Sequence, residues 1–229
     1  MEVDSINLRL LGVDISRKAV NLARRNQKRL EHEYTGPNQF ELSALQGLQF
    51  IQADVLKDDS GPTDTNVQAL MDVLKGHAKQ SGEALRWDIL ISNPPYISPS
   101  SFNKSTSRSV RNFEPKLALV PPEVPGSTGL NAGDVFYPRL LAIAEEVSAK
   151  MVLFEVADLE QADRVANMAK RSSSWNGIQI WRDVPAETPV ELTKSRFKVL
   201  GHGSGRSVFC WRGEAAKWLG LASEKSGRA

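Results

Sequence analysis

Ten consecutive residues, Trp87-Asp88-Ile89-Leu90-Ile91-Ser92-Asn93-Pro94-Pro95-Tyr96, combine the types needed to hold and present an amine. The apolar run from Ile89 to Ile91 predicts a buried strand. Two successive prolines cannot continue the ladder of a central strand, so it stops at Asn93. Each proline also biases its predecessor towards extended geometry. The polar groups of Asn93 and Pro94 therefore project from the strand end, where open α/β sheets bind ligands. A planar NH2 group has two hydrogens and is held by two acceptors at a fixed angle. The Asn93 side-chain oxygen supplies one and the Pro94 carbonyl the other; Tyr96 adds an aromatic face for a planar amide or base. A nitrogen held this way is aimed at an electrophilic methyl group, so positioning does much of the catalysis. Asn-Pro-Pro by itself reads equally as a turn; the strand before it and the tyrosine after it favour an amine site.

The elements that must position this stretch begin with a strand over Leu8 to Val13, ending on Gly12-Val13-Asp14-Ile15-Ser16. Ser16 is the natural N-cap of the next helix. Ala19, Val20, Ala23 and Leu30 form its inner stripe, and Arg17, Lys18, Arg24, Arg25, Lys28 and Arg29 a solvated basic face. Asp14, at the C-terminal end of a parallel strand, is placed to accept both hydroxyls of a ribose. Glu31 to Gly47, with Gly36-Pro37-Asn38, reads as a loop or surface insertion. Leu48 to Ala53 predicts the next strand, closing on Asp54-Val55-Leu56, with Asp54 suited to an adenine amino group. Lys57 to Arg86 is long for a plain connection. It opens on the breaker Asp58-Asp59-Ser60-Gly61-Pro62 and then carries a short amphipathic helix through Val67, Leu70, Met71 and Leu74.

After Tyr96 the chain turns irregular through Thr128 and contains Asn112-Phe113-Glu114-Pro115-Lys116-Leu117-Ala118-Leu119. A long loop at the mouth of a strand-end site is usually functional. A helix over Asp134 to Ala149 follows, with Asp134 as cap and Phe136, Leu140, Leu141, Ile143 and Ala144 inward. Met151 to Val156 predicts a strand, Leu159 to Arg171 a helix and Ile178 to Val184 a strand. Phe197 to Gly201 and Val208 to Trp211, joined by His202-Gly203-Ser204-Gly205, read as a hairpin. Lys217 to Ala229 is expected to fray. The five tryptophans show no spacing for a stacking platform and read as packing residues.

Length and composition limit the function classes. The chain's 229 residues suit one sizeable α/β domain. Its 29 basic and 27 acidic side chains leave a net charge of +2, without the strong basic bias of a protein living on nucleic-acid backbones. Cys210 is the sole cysteine, so there is neither a disulfide framework nor a cysteine metal site. His32, His77 and His202 lie far apart, and no metal site is expected. No apolar run reaches membrane-spanning length, and the acidic start Met1-Glu2-Val3-Asp4 carries no targeting pattern.

Asn93-Pro94-Pro95-Tyr96 after an Asp-containing apolar strand resembles the signature of amino-methyltransferases of the class I, S-adenosylmethionine-dependent fold. The resemblance extends further. Gly12-Val13-Asp14-Ile15-Ser16 with Lys18-Ala19 resembles the second strand of the release-factor glutamine methyltransferases of the HemK/PrmC type, and Gln52-Ala53-Asp54-Val55-Leu56 their third strand end. Glu114-Pro115-Lys116-Leu117-Ala118-Leu119 and Gly133-Asp134-Val135-Phe136-Tyr137 are similar to their Glu-Pro-x-x-Ala-Leu and Gly-Leu-x-Phe-Tyr segments. Leu153-Phe154-Glu155-Val156 with Gln161 resembles their fifth strand, although Ala157 stands where the family tends to have glycine. Gly205-Arg206-Ser207-Val208 resembles their closing hairpin. Base methyltransferases share the Asn-Pro-Pro-Tyr motif and lack the Glu-Pro segment.

The resemblance implies an α/β, Rossmann-like class I methyltransferase sheet with a C-terminal antiparallel hairpin. It implies a methyltransferase domain over residues 1–212, followed by a frayed tail over 213–229. The donor would be S-adenosylmethionine, with Asp14 on the ribose, Asp54 on the adenine edge, and Ile15, Val55 and Asn93 beside it. The partner would be a class I peptide-chain release factor, methylated on the glutamine of its Gly-Gly-Gln loop, with no membrane and no nucleic acid as direct substrate. Asn93 and the Pro94 carbonyl would hold the amide, Tyr96 would pack on it, and Pro95, Glu114 and Pro115 would shape the pocket. In a eukaryote the expected compartment is the mitochondrion, otherwise the cytoplasm. The family's N-terminal helical domain and glycine-rich first motif have no counterpart here. The expectation is therefore a truncated member that lacks its first strand and binds the donor weakly. Two other readings remain open: a nucleic-acid adenine N6-methyltransferase, and a non-catalytic remnant that keeps only the substrate surface.

Overall fold

The computed structural model describes residues 8–36, 39–57, 66–123, 131–187 and 194–220, within which the chain divides into two units, Met1–Ala84 and Leu85–Ala229. In the first, β1 (Leu10–Asp14) leads into α1 (Arg17–Glu33), and α2 (Gln39–Gly47) into β2 (Leu48–Gln52). β2 runs parallel to β1, with Leu10 opposite Leu48 and Asp14 opposite Gln52. Ser16 caps α1 as expected: its hydroxyl accepts from the Ala19 N–H at 3.3 Å, and its own N–H donates to Asp14 Oδ1 at 2.7 Å. Gly12 is needed where it stands, because a Cβ there would lie 2.5 Å from the Phe50 ring. α3 (Leu70–Ser81) joins the end of β2 through Asp54, whose backbone bonds Gln68 and Leu70. Val20, Ala53, Ala69, Leu70, Met71 and Leu74 form this unit's core.

Two expectations for this unit are corrected. The stretch Glu31 to Gly47 is not all loop, since α2 occupies its second half. Its polar-rich pattern hides the helix, which is fixed by contact: Gln27 Nε2 on α1 donates to the carbonyls of Leu45 and Leu48 at 2.7 and 2.8 Å. Leu30 is 48% exposed rather than part of an inner stripe. A 17-residue helix is about 25 Å long, while five-residue strands reach only about 17 Å, so the helix end overhangs its sheet. Pro37, Asn38 and the breaker at 58–62 lie outside the described residues.

The second unit begins with β3 (Ile89–Ser92), followed by the short helices α4 (Pro99–Ser105) and α5 (Arg108–Phe113). Then come α6 (Phe136–Glu146), β4 (Met151–Glu155), α7 (Leu159–Arg171) and β5 (Gly177–Val184). β6 (Lys198–Leu200), β7 (His202–Trp211) and α8 (Ala215–Trp218) complete it. The sheet order is β3-β4-β7-β5-β6. β3 is parallel to β4 and β6 to β5, while β7 is antiparallel to both β4 and β5. The fold is thus α/β with a mixed sheet. Val152, Phe154, Ile180, Val208 and Cys210 point to its buried face, with Tyr137, Ile143, Val165 and Ala166 of α6 and α7 also fully buried.

The antiparallel strand expected at the C-terminus is present, but its partners differ. Residues 197–201 do not pair with 208–211; β6 pairs with β5, and β7 inserts between β4 and β5. β3 is not buried as its apolar run predicts: Ile89 and Ile91 are 51% and 72% exposed. It ends the strand order, and period-two alternation turns both isoleucines to the face opposite Leu90. The stretch after Tyr96 contains α4 and α5, each opened by a serine cap, Ser98 and Ser107; its part over 124–128 lies outside the described residues. The helix expected from Asp134 starts at Phe136, and Asp134 ends a 3-10 turn instead of capping. Within the stretch expected to fray, α8 forms and buries Ala215, and residues 221–229 lie outside the described residues. Trp181, Phe209 and Trp211 pack in series within the sheet, with ring centroids 4.7 and 5.6 Å apart. Among the described residues, no helix is long and apolar enough to cross a membrane.

Candidate functional site

Ser92 makes the last β3 pair, opposite Phe154, and the proline turn leaves the sheet directly after it. Asn93 is exposed, Pro94 is buried, and Pro95 and Tyr96 are half-buried. The turn is therefore anchored in protein while its asparagine faces outward. Tyr96 is tied by its hydroxyl, which donates to Glu155 Oε1 at the end of β4 at 2.9 Å. The Glu155 carbonyl in turn accepts from the fully buried Tyr137 hydroxyl at 2.8 Å.

The Glu114–Leu119 string reaches the same turn. The Glu114 N–H closes α5 on the Val110 carbonyl, and the Ala118 N–H bonds Pro115, making a 3-10 turn. The Leu119 carbonyl then accepts from the Ile97 N–H at 2.9 Å. The structure thus brings the end of this string beside the residue following Tyr96. Glu114 and Pro115 themselves are exposed.

Behind the turn lies a buried polar cluster. Gln161, 2% exposed in the first turn of α7, accepts from the Ala157 N–H at 2.7 Å. Its Nε2 donates to Asp134 Oδ1 at 2.9 Å and the Gly133 carbonyl at 3.0 Å, and lies 3.4 Å from the Tyr96 carbonyl. Asp134, 1% exposed, also receives Arg164 Nε at 2.6 Å and Nη2 at 3.1 Å. Burying a carboxylate is costly unless it is paired and hydrogen-bonded, and here it is both. Sequence reasoning placed Gln161 and Asp134 in family-like segments but gave neither this role. The only local signal was a polar residue inside each apolar pattern.

The electrostatics follow from burial. Tyr96 titrates above its ordinary range because burial, and then the Glu155 carboxylate, disfavour a phenolate. Burial raises Tyr137 further still. Arg206 stays firmly protonated through its bond to Asp183, whose carboxyl is held low by Arg206 and the Ser204 N–H.

In the first unit, Asp14 is the last residue of β1, and Asp54 follows the C-terminal end of the adjacent parallel strand β2. Asp14 is exposed and half-engaged, with Oδ1 on the Ser16 N–H. Asp54 is 6% exposed, and its Oδ1 accepts from the Leu56 N–H at 2.9 Å. Ile15 and Val55, beside them, are half-buried. An open hollow of about 240 Å3 lies against Asp14, lined also by Gly12, Val20, Ala23 and Phe50. Asp14 is the one carboxylate that lines this apolar hollow, and Asp54 is not part of its wall. Among the described residues, no group of three or more His, Cys, Asp or Glu is placed to hold a metal ion.

No family model matches the chain. It is 32% identical over 97 residues to a release factor glutamine methyltransferase of Nitratidesulfovibrio vulgaris, covering 42% of this chain and 30% of that protein. It is 28% identical over 167 residues to a Schizosaccharomyces pombe protein described as probable MRF1 mitochondrial N(5)-glutamine methyltransferase mtq1, covering 69% of this chain and 42% of that one. The chain thus shows distant similarity to glutamine methyltransferases and spans less than half the length of either relative. A solved structure of the hMettl16 catalytic domain, in complex with the MAT2A 3′UTR hairpin 1, aligns with 94% of this chain and 56% of its own at 13% identity and a TM-score of 0.45.

Proposed function

We propose that this chain serves S-adenosylmethionine-dependent methylation of a glutamine side-chain amide, in the Gly-Gly-Gln loop of a class I peptide-chain release factor. The observation that carries the reading is the turn at the end of β3. Its exposed Asn93 is backed by buried Pro94, and the Ile97–Leu119 bond draws the Glu114–Leu119 string against it. The resemblance and the relatives' names support the amide substrate over a nucleic-acid base, and for a eukaryotic chain they support the mitochondrion as compartment.

In this reading Asn93 Oδ1 and the Pro94 carbonyl accept the two amide hydrogens, and Tyr96 packs against the amide plane. An amide nitrogen is a weak nucleophile, so orienting it is the main service these residues provide. Pro95 stiffens the turn, and Glu114 and Pro115 shape the approach of the substrate loop. Asp14 would hold the donor's ribose and Asp54 its adenine edge, with Ile15 and Val55 beside them. S-adenosylmethionine, when bound, supplies a methyl group made electrophilic by its sulfonium sulfur. Transfer would join that methyl group to the amide nitrogen held by Asn93 and Pro94, leave the sulfur as a neutral thioether, and release one amide proton to solvent.

The test is methyl transfer by the full-length chain at saturating donor, with a release factor, DNA and RNA oligonucleotides as separate acceptors. Mass increase on the Gly-Gly-Gln peptide is expected. Methylation of the oligonucleotides alone would transfer the reading to base chemistry. Binding of the release factor without any transfer would make the chain a binding module.

A further inference from the structure

We infer that Gln161 is a positioning residue for the amide site: with Gly133 it boxes the Tyr96 carbonyl and so fixes the turn that presents Asn93 and Pro94. The inference rests on the amide-methylating reading above.

The Gln161 side chain is buried and has little freedom. Its oxygen faces the Ala157 N–H at 2.7 Å, and its nitrogen faces a carboxylate oxygen of Asp134 at 2.9 Å. Flipping the amide would set oxygen against carboxylate and NH2 against N–H, so one orientation is chemically enforced. Arg164 holds Asp134 through both of its oxygens, which fixes the far end of the arrangement. The two hydrogens of Gln161 Nε2 go to Asp134 Oδ1 and the Gly133 carbonyl, and the nitrogen so held packs 3.4 Å from the Tyr96 carbonyl on one side. Gly133 closes another: a Cβ there would lie 2.6 Å from the Tyr96 oxygen and 3.1 Å from Gln161 Nε2. Only a glycine lets the 131–134 backbone pass that close.

The position of the Tyr96 carbonyl matters because of the prolines before it. Pro94 and Pro95 both have φ locked by their rings. A shift at Tyr96 is therefore poorly absorbed by torsions and passes back to the Pro94 carbonyl and Asn93. Displacing a reacting group by about 1 Å can cost about a hundredfold in rate.

Two variants of the full-length chain test this: Gln161→Met, which keeps the volume but loses the donors, and Gly133→Ala, which adds one methyl and removes no hydrogen-bonding group. Three quantities are read: turnover on a release-factor Gly-Gly-Gln peptide at saturating S-adenosylmethionine, affinity for the donor, and deuterium exchange at the Ile97 amide. Both variants are expected to lower turnover by about a hundredfold, leave donor affinity unchanged and speed exchange at Ile97. If Gln161→Met does not fold, Gly133→Ala carries the test alone. Near-parental turnover in a folded variant overturns the inference. So does a parallel loss of donor affinity, which would mark general loosening. If the parent chain transfers no methyl group, the reading of its function fails. The exchange measurement then decides the box separately, and unchanged exchange at Ile97 overturns it.

Discussion

The Tyr96 hydroxyl donates to Glu155 Oε1 at 2.9 Å, joining the last residue of the proline turn to the last residue of β4. The bond links two segments 59 residues apart in sequence and ties the turn to the centre of the second unit.

That pairing sets the first prediction. Burial raises the Tyr96 phenol, and the Glu155 carboxylate raises it further by opposing a second negative charge. Glu155→Gln keeps an acceptor for the hydroxyl and removes the charge. Tyr96 is therefore expected to ionise at lower pH in the variant, while remaining above its ordinary value because burial persists. Ultraviolet difference titration of the variant against the parent reads this change. An unchanged titration curve would mean that the carboxylate does not face the ring oxygen.

Asn93→Ala tests the amide acceptor. Asn93 is exposed, so thermal stability should stay within about 0.5 kcal/mol of the parent, as for ordinary surface substitutions. Turnover on the release-factor peptide should fall by about a hundredfold or more, the scale for losing one positioned polar group in a site. Donor affinity should hold. Substantial turnover in the variant would remove Asn93 from the proposed machinery.

These two residues also mark what was legible in the sequence. The end of β3 before Asn93 and the exposure of Asn93 could be read because they are local: the prolines end the strand whatever lies elsewhere. Ser16 as a cap and α7 over Leu159–Arg171 were legible for the same reason. Glu155, Gln161, Asp134 and Arg164 acquire their roles through partners 27 to 65 residues away, and no periodicity encodes such pairings. The exposure of Ile91 was equally hidden. An apolar run looks the same whether or not the sheet face it presents is covered, and only tertiary packing decides that. The insertion of β7 between β4 and β5 is a choice of neighbours of the same kind.

Asp14 has two duties that a pair of substitutions separates. Its Oδ1 holds the Ser16 N–H at the entry to α1, and the proposed reading adds the ribose hydroxyls. Asp14→Asn keeps a side-chain oxygen for Ser16 but loses the charge, whereas Asp14→Ala loses both. Asp14→Ala should weaken S-adenosylmethionine binding by about 2–3 kcal/mol, the range for a charge-assisted hydrogen bond. Asp14→Asn should weaken it by less and leave the stability of the first unit intact. Calorimetry on the full-length chain measures the first quantity and urea unfolding the second. Equal donor affinity in all three proteins would make Asp14 a helix-entry residue alone.

The response to alkali follows from two buried groups and one half-buried one in the second unit. Burial pushes the Cys210 thiol from an ordinary 9.0 up to about 12. The phenols of Tyr96 and Tyr137, ordinarily at 10.0, are raised as well, both chiefly by burial. All three are favoured in the neutral form by folding, so their contributions are fully present below the unfolded-state values. Above those values the unfolded chain releases protons that the folded chain keeps, and stability falls as pH rises. The Cys210 contribution should start to fall first, near its unfolded value of 9.0, and the tyrosines should steepen the fall from 10.0 upward. Cys210→Ala is expected to lower stability at neutral pH by leaving a small cavity, yet to flatten the first part of the alkaline decline. Tyr137→Phe should lose about 1 kcal/mol with the bond to the Glu155 carbonyl and flatten the later part. Urea unfolding midpoints taken from neutral pH upward give the profile. A parent protein whose stability is level through that range, or variants that leave its slope unchanged, would show that these groups do not stay buried and neutral as the fold places them.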